Sequence, residues 1–102
     1  MDKNRKTAYE VLLDMEQNHS YSNLALNNFI GKRKPDNPAF VRELVYGVLR
    51  EKILLDYILE QLIPTGLRKV KKQDAILLRM GLYQLEFMDS VPEYAAVNEM
   101  VK

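Results

Sequence analysis

Ten of the fifteen lysines and arginines fall in three short clusters. Lys3, Arg5 and Lys6 open the chain, Lys32, Arg33 and Lys34 follow, and Arg68, Lys69, Lys71 and Lys72 form the third. Cations gathered in this way bind phosphate by releasing its counterions, whatever the net charge of the whole protein. The net charge is only +1, yet it hides segregation. Pro64 to Gln73 carries four cations and no acid, and Leu82 to Glu99 carries Glu86, Asp89, Glu93 and Glu99 with no cation. A second reading stays open, in which loop cations only solvate the surface. The Lys3 to Lys6 group would sit at a helix start, where the dipole mildly disfavours cations, so helix stability does not account for it. Base stacking has little support, because only Tyr9 and Tyr21 lie near the clusters and tyrosine serves cores equally well.

Other chemistry is sparse. There is no cysteine, which excludes disulfides, thiolate metal sites and a cysteine nucleophile. The one histidine, His19, lies among Asn18, Ser20 and Tyr21 and reads as a solvated turn residue. No Gly-x-Ser-x-Gly elbow occurs, and Gly31, Gly47, Gly66 and Gly81 are too dispersed for a phosphate loop. Glu10 with Asp14, and Glu43 beside Arg42, have the spacings of solvated helix faces rather than of an acid and base pair. These 102 residues are therefore not expected to catalyse a reaction, hold a metal or bind a cofactor. No apolar run is long enough for a membrane span and no signal-like segment opens the chain, so a cytoplasmic location is expected.

The elements that must position the cations are helices. Ala8, Val11, Leu12 and Met15 give a helical stripe over about residues 4 to 18. A second helix is expected over about 22 to 31, burying Leu24, Ala25, Phe29 and Ile30 and stopping at Gly31. Asp36 or Asn37 caps a third, with Pro38 in its first turn. Its stripe runs from Val41 to Leu62, which is long for a globular helix, so a break is expected near Arg50 to Ile53. A fourth helix, from Asp74 to about Met88, carries Ile76, Leu77, Leu78, Met80, Leu82, Tyr83, Leu85 and Phe87 around its circumference and is expected to be central. Ser90 and Glu93 have capping-box spacing for a fifth, with Pro92 in its first turn. That last helix lacks a C-terminal stop before Lys102, which points to an N-terminal fragment of a longer chain. Gly47 and Gly81 fall inside helices. Close packing is the expected reason at Gly81, while at Gly47 packing and a ligand backbone both stay open.

Three stretches carry a resemblance. Phe40-Val41-Arg42-Glu43-Leu44-Val45-Tyr46-Gly47-Val48-Leu49-Arg50 with Leu55-Asp56 resembles a signature of NusB-like helical domains. Ile76 to Leu85 followed by Val91 to Glu99 is similar to another, and Arg5 to Leu12 to the family's opening. The resemblance covers nearly all of residues 1–102 in order. Tyr46 to Arg50, Gly81-Leu82-Tyr83-Gln84 and Ala95 to Glu99 look more like the N-terminal domain of RsmB/Sun/Fmu-type 16S ribosomal RNA cytosine-C5 methyltransferases than like free-standing antitermination factors, which more usually show Glu at position 84. The resemblance implies an all-α, NusB-like bundle of about five helices, truncated at its C-terminal end. It implies a domain that binds and orients ribosomal RNA through the three basic clusters. It also implies a separate catalytic domain, absent from these residues, that uses S-adenosylmethionine and a cysteine thiolate. Self-association through uncovered apolar surface is a further expectation. The alternative is an antitermination factor or a protein-interaction module.

Overall fold

The computed structural model describes residues 1–88 and 93–101. Among them are six helices and no strand: α1 (Lys3–Asn18), α2 (Asn23–Arg33), α3 (Pro38–Arg50), α4 (Lys52–Leu62), α5 (Lys72–Phe87) and α6 (Glu93–Val101), with a 3-10 turn at Leu67–Lys69. The expected capping box at Ser90, the placement of Pro92 and the end at Lys102 lie outside the described residues.

The caps explain most of the boundaries. The Asp2 carboxylate accepts the Arg5 amide at 2.8 Å and starts α1. Ser22 Oγ accepts the Ala25 amide at 3.2 Å for α2, and Asn37 Oδ1 the Phe40 amide at 3.1 Å for α3, with Pro38 in its first turn. Helix α2 passes Gly31, contrary to the sequence expectation, and closes at Lys34 with φ 51°. Pro35 disfavours a right-handed helical conformation at the residue before it, so the chain turns there rather than at the glycine. The long third segment divides at Glu51 (φ −100°, ψ 14°) into α3 and α4, where a break was expected. This makes six helices rather than about five.

Helix α5 touches α1, α3, α4 and α6 and is central, as its apolar pattern requires. Met80 and Tyr83 are buried and Leu77 is half-buried, but Leu78, Leu85 and Phe87 remain exposed, so the apolar pattern exceeds the buried surface. In α2 the buried residue is Leu26, not Leu24, which is 69% exposed. In α4, Leu55 and Leu59 face the core while Ile53, Tyr57 and Leu62 stand in solvent.

Two side-chain locks tie this core together. Arg79 in α5 grips Asp56 in α4 at 2.6 and 3.2 Å, a two-pronged pair. Tyr83 in α5 lies against Gly47 in α3, where an added Cβ would fall 2.0 to 2.4 Å from its ring and hydroxyl. Its hydroxyl donates to Glu43 Oε1 at 2.7 Å and accepts from Arg50 Nη2 at 3.1 Å, and its ring stacks on Phe87. Packing therefore accounts for Gly47. At Gly81, among the described residues, an added Cβ would meet Met100 Cγ at 3.7 Å, an ordinary contact.

Candidate nucleic-acid interface

Two of the three basic clusters come together. The first turn of α1 and the last turn of α2 flank one groove of about 450 Å³, lined by Met1, Lys3, Lys6, Thr7, Glu10 and Arg33. Arg33 reaches across to Glu10 with two hydrogen bonds, Nε to Oε1 at 3.1 Å and Nη2 to Oε2 at 2.7 Å. This half-exposed pair contributes little stability, but it fixes the guanidinium beside Lys3 and Lys6. Lys3, Lys6, Lys32 and Lys34 are all exposed. Two lysines beside a fixed guanidinium, with Lys32 and Lys34 exposed on the adjoining turn, are groups of the kind that contact the phosphates of a nucleic-acid backbone.

Arg5 is elsewhere, which corrects the expectation that it shares this surface. It is only 7% exposed. Its Nε donates to the fully buried Gln84 Oε1 at 2.6 Å, its Nη1 pairs with the Asp2 carboxylate, and its guanidinium lies over the Phe40 ring at 5.0 Å. Gln84 in turn donates to the Met80 carbonyl at 2.9 Å. Arg5 links α1, α3 and α5 inside the bundle. Its sequence phase already marks this: Arg5 precedes Ala8, Leu12 and Met15 by three, seven and ten residues, on their buried face. Cluster membership obscured that signal. Neither phase nor type reveals the contacts across helices to Gln84 and Phe40, whereas Asp2, three residues before Arg5, carries a local N-cap signal.

The third cluster is remote from the first two. Arg68 and Lys69 lie on the 3-10 turn, and Lys71 and Lys72 at the start of α5, all exposed. Near the start of α1, Arg5 meets Gln84 near the end of α5. Toward the other end of α1, Glu16 lines a groove of about 570 Å³ with Arg68, Lys72 and Arg79. The two helices are thus antiparallel. Twelve residues separate Lys72 from Gln84, roughly 18 Å of helix at about 1.5 Å each. Asp56 and Glu60 also line that second groove, so its field is mixed.

Burial, then the Glu43 carboxylate, push the Tyr83 phenol above its usual range, and Arg50 offsets this in part. That phenol is locked in packing. Among the described residues no three His, Cys, Asp or Glu side chains gather as metal ligands, and no helix is long and apolar enough to cross a membrane. His19 is exposed at the left-handed end of α1.

Known proteins match along nearly the whole chain. The probable ribosomal RNA small subunit methyltransferase B of Bacillus subtilis is 42% identical over 96% of the chain, and its namesake in Synechocystis is 40% identical over 92%. The chain spans only 22% of the length of either. The transcription antitermination protein NusB of Levilactobacillus brevis is 32% identical over 96% of the chain and 73% of its own length. No solved structure matches. The NusB family pattern itself covers residues 2–102, in agreement with the all-helical bundle, and the chain belongs to the NusB family.

Proposed function

We propose that this chain is the RNA-binding, substrate-orienting N-terminal domain of a 16S ribosomal RNA cytosine-C5 methyltransferase. The observation that carries the reading is its 42% identity to a methyltransferase B, against 32% to an antitermination protein. The groove between α1 and α2 supports it, since Lys3, Lys6 and Arg33 converge there with Lys32 and Lys34 close by in sequence. Arg68, Lys69, Lys71 and Lys72 would give a second, separate phosphate-contacting surface. The domain's part is to hold ribosomal RNA while another domain of the same enzyme transfers the methyl group. The residues described here do not fit S-adenosylmethionine. No strand leads into a helix through a glycine-rich turn, and the grooves at both basic surfaces are lined by charged side chains.

The test is RNA affinity against salt. Each phosphate contact adds about 0.7 to 0.9 to the logarithmic slope. Replacing Lys3 and Lys6 by Gln should lower that slope by more than about one unit on 16S ribosomal RNA. Replacing Arg42 and Lys52, which lie outside the clusters, should change it much less. Equal slopes for the two double variants would overturn the reading. Free-standing antitermination is the second reading, supported by the 73% coverage of an antitermination protein. Methyl transfer to ribosomal cytosine by the intact polypeptide carrying this domain decides between them.

A further inference from the structure

The first turn of α1 has an unusual burden. It holds Lys3, Arg5 and Lys6 at the positive end of the helix dipole, with no acidic residue inside the turn. A helix start of that composition frays. Here it is tied down from within: the Asp2 carboxylate caps the Arg5 amide and pairs with the Arg5 guanidinium, which is anchored on Gln84 of α5 and covered by Phe40 of α3. Gln84 is 0% exposed and its own amide is committed to the Met80 carbonyl, so the anchor has one orientation.

We infer that Arg5 and Gln84 are a positioning pair that holds the first turn of α1 so that Lys3 and Lys6 face RNA phosphate beside Arg33. Neither residue touches the RNA. The inference rests on the RNA-binding reading above and names what makes that surface rigid. Side chains fixed before binding lose less conformational freedom on binding, and that difference appears as affinity. Phosphate contacts are counted by the salt slope, whereas rigidity is not. The two contributions are therefore separable.

Gln84→Met leaves every charge in place and removes the acceptor of Arg5. It should weaken binding of 16S ribosomal RNA by about tenfold, with the salt slope unchanged and faster hydrogen exchange at the Lys6 amide, which now bonds to the Asp2 carbonyl at 2.9 Å. Gln84→Glu keeps an acceptor for Arg5 but loses the donation to the Met80 carbonyl, so it should return only part of the affinity. Arg5→Lys keeps the charge but not the planar fork, and it should behave like Gln84→Met. It also serves as the test if Gln84→Met does not fold. A folded Gln84→Met or Arg5→Lys protein that binds as tightly as the parent would overturn the pairing. If Lys3→Gln with Lys6→Gln loses affinity in the same assay, the RNA surface stands and only the positioning role falls. If that double variant also binds unchanged, the RNA reading itself fails.

Discussion

Gly47→Ala sets two effects of opposite sign against each other. Alanine in a helix interior is favoured over glycine by about 0.5 to 1 kcal/mol. At this site, however, the new methyl would lie 2.0 Å from Tyr83 Cζ, 2.2 Å from its Oη and 2.4 Å from its Cε2. The ring is rigid, 1% exposed, bonded to Glu43 and Arg50 and stacked on Phe87 at 5.1 Å between centroids. It cannot clear the new methyl without breaking these contacts. Overpacking of this kind costs about 1 to 3 kcal/mol, and displacing the hydroxyl from two partners adds about 1 to 2 kcal/mol. The sum outweighs the helix preference, and the variant should be about 2 to 3 kcal/mol less stable. In urea, at a slope of about 1.2 kcal/mol/M, the midpoint should fall by about 2 M with the slope unchanged. Shortening the ring partner in Gly47→Ala with Tyr83→Leu should make the two losses non-additive by at least about 1 kcal/mol. A Gly47→Ala protein that is more stable than its parent, or a coupling of zero, would refute the argument.

Two further outcomes are expected. Arg79→Met leaves the Asp56 carboxylate, among the described residues, with Lys52 at 3.8 Å, so chemical denaturation should show a loss of about 2 to 3 kcal/mol, with Asp56→Asn in the same chain recovering part of it. The Tyr83 phenol is held above its ordinary 10.0 by burial and by Glu43. Its contribution to stability is complete below about pH 10 and is lost above it, because the unfolded chain releases its proton first. Alkaline unfolding followed by circular dichroism should show this fall, and Tyr83→Phe should reduce it.

Much of the bundle was legible because helical period and capping chemistry are local. Asn37 with Pro38 marked the start of α3, and the length of the stripe to Leu62 announced a break that falls at Glu51. What local pattern does not carry is competition between neighbours. Gly31 looked like a stop, but Pro35 decided the end of α2 at Lys34. Leu24 and Leu26 are equally apolar, and only the packing of α2 on α1 selects Leu26. Sequence left Gly47 open between packing and a ligand backbone and gave Gln84 only as a marker of the family branch. In the structure Gly47 packs on Tyr83, Asp56 pairs with Arg79, and Gln84 is held between Arg5 and the Met80 carbonyl. Among the cations, charge density along the chain located the surface groups correctly and misplaced Arg5, since a guanidinium is as serviceable inside, over an aromatic ring and an amide, as it is in water.

The antiparallel course of α1 and α5 gives the domain a length scale. If the two basic surfaces bind RNA as proposed, one near Gln84 and the other at Lys72, roughly 18 Å apart along the helix, a stacked strand advancing about 3.4 Å per phosphate would run for about five steps to engage both. Oligonucleotides below that length would then meet one surface at a time and gain nothing from the second. Longer ones benefit from effective concentration. Affinity should therefore rise with RNA length in a step rather than a ramp, and the position of the step measures the spacing of two helix ends inside the protein.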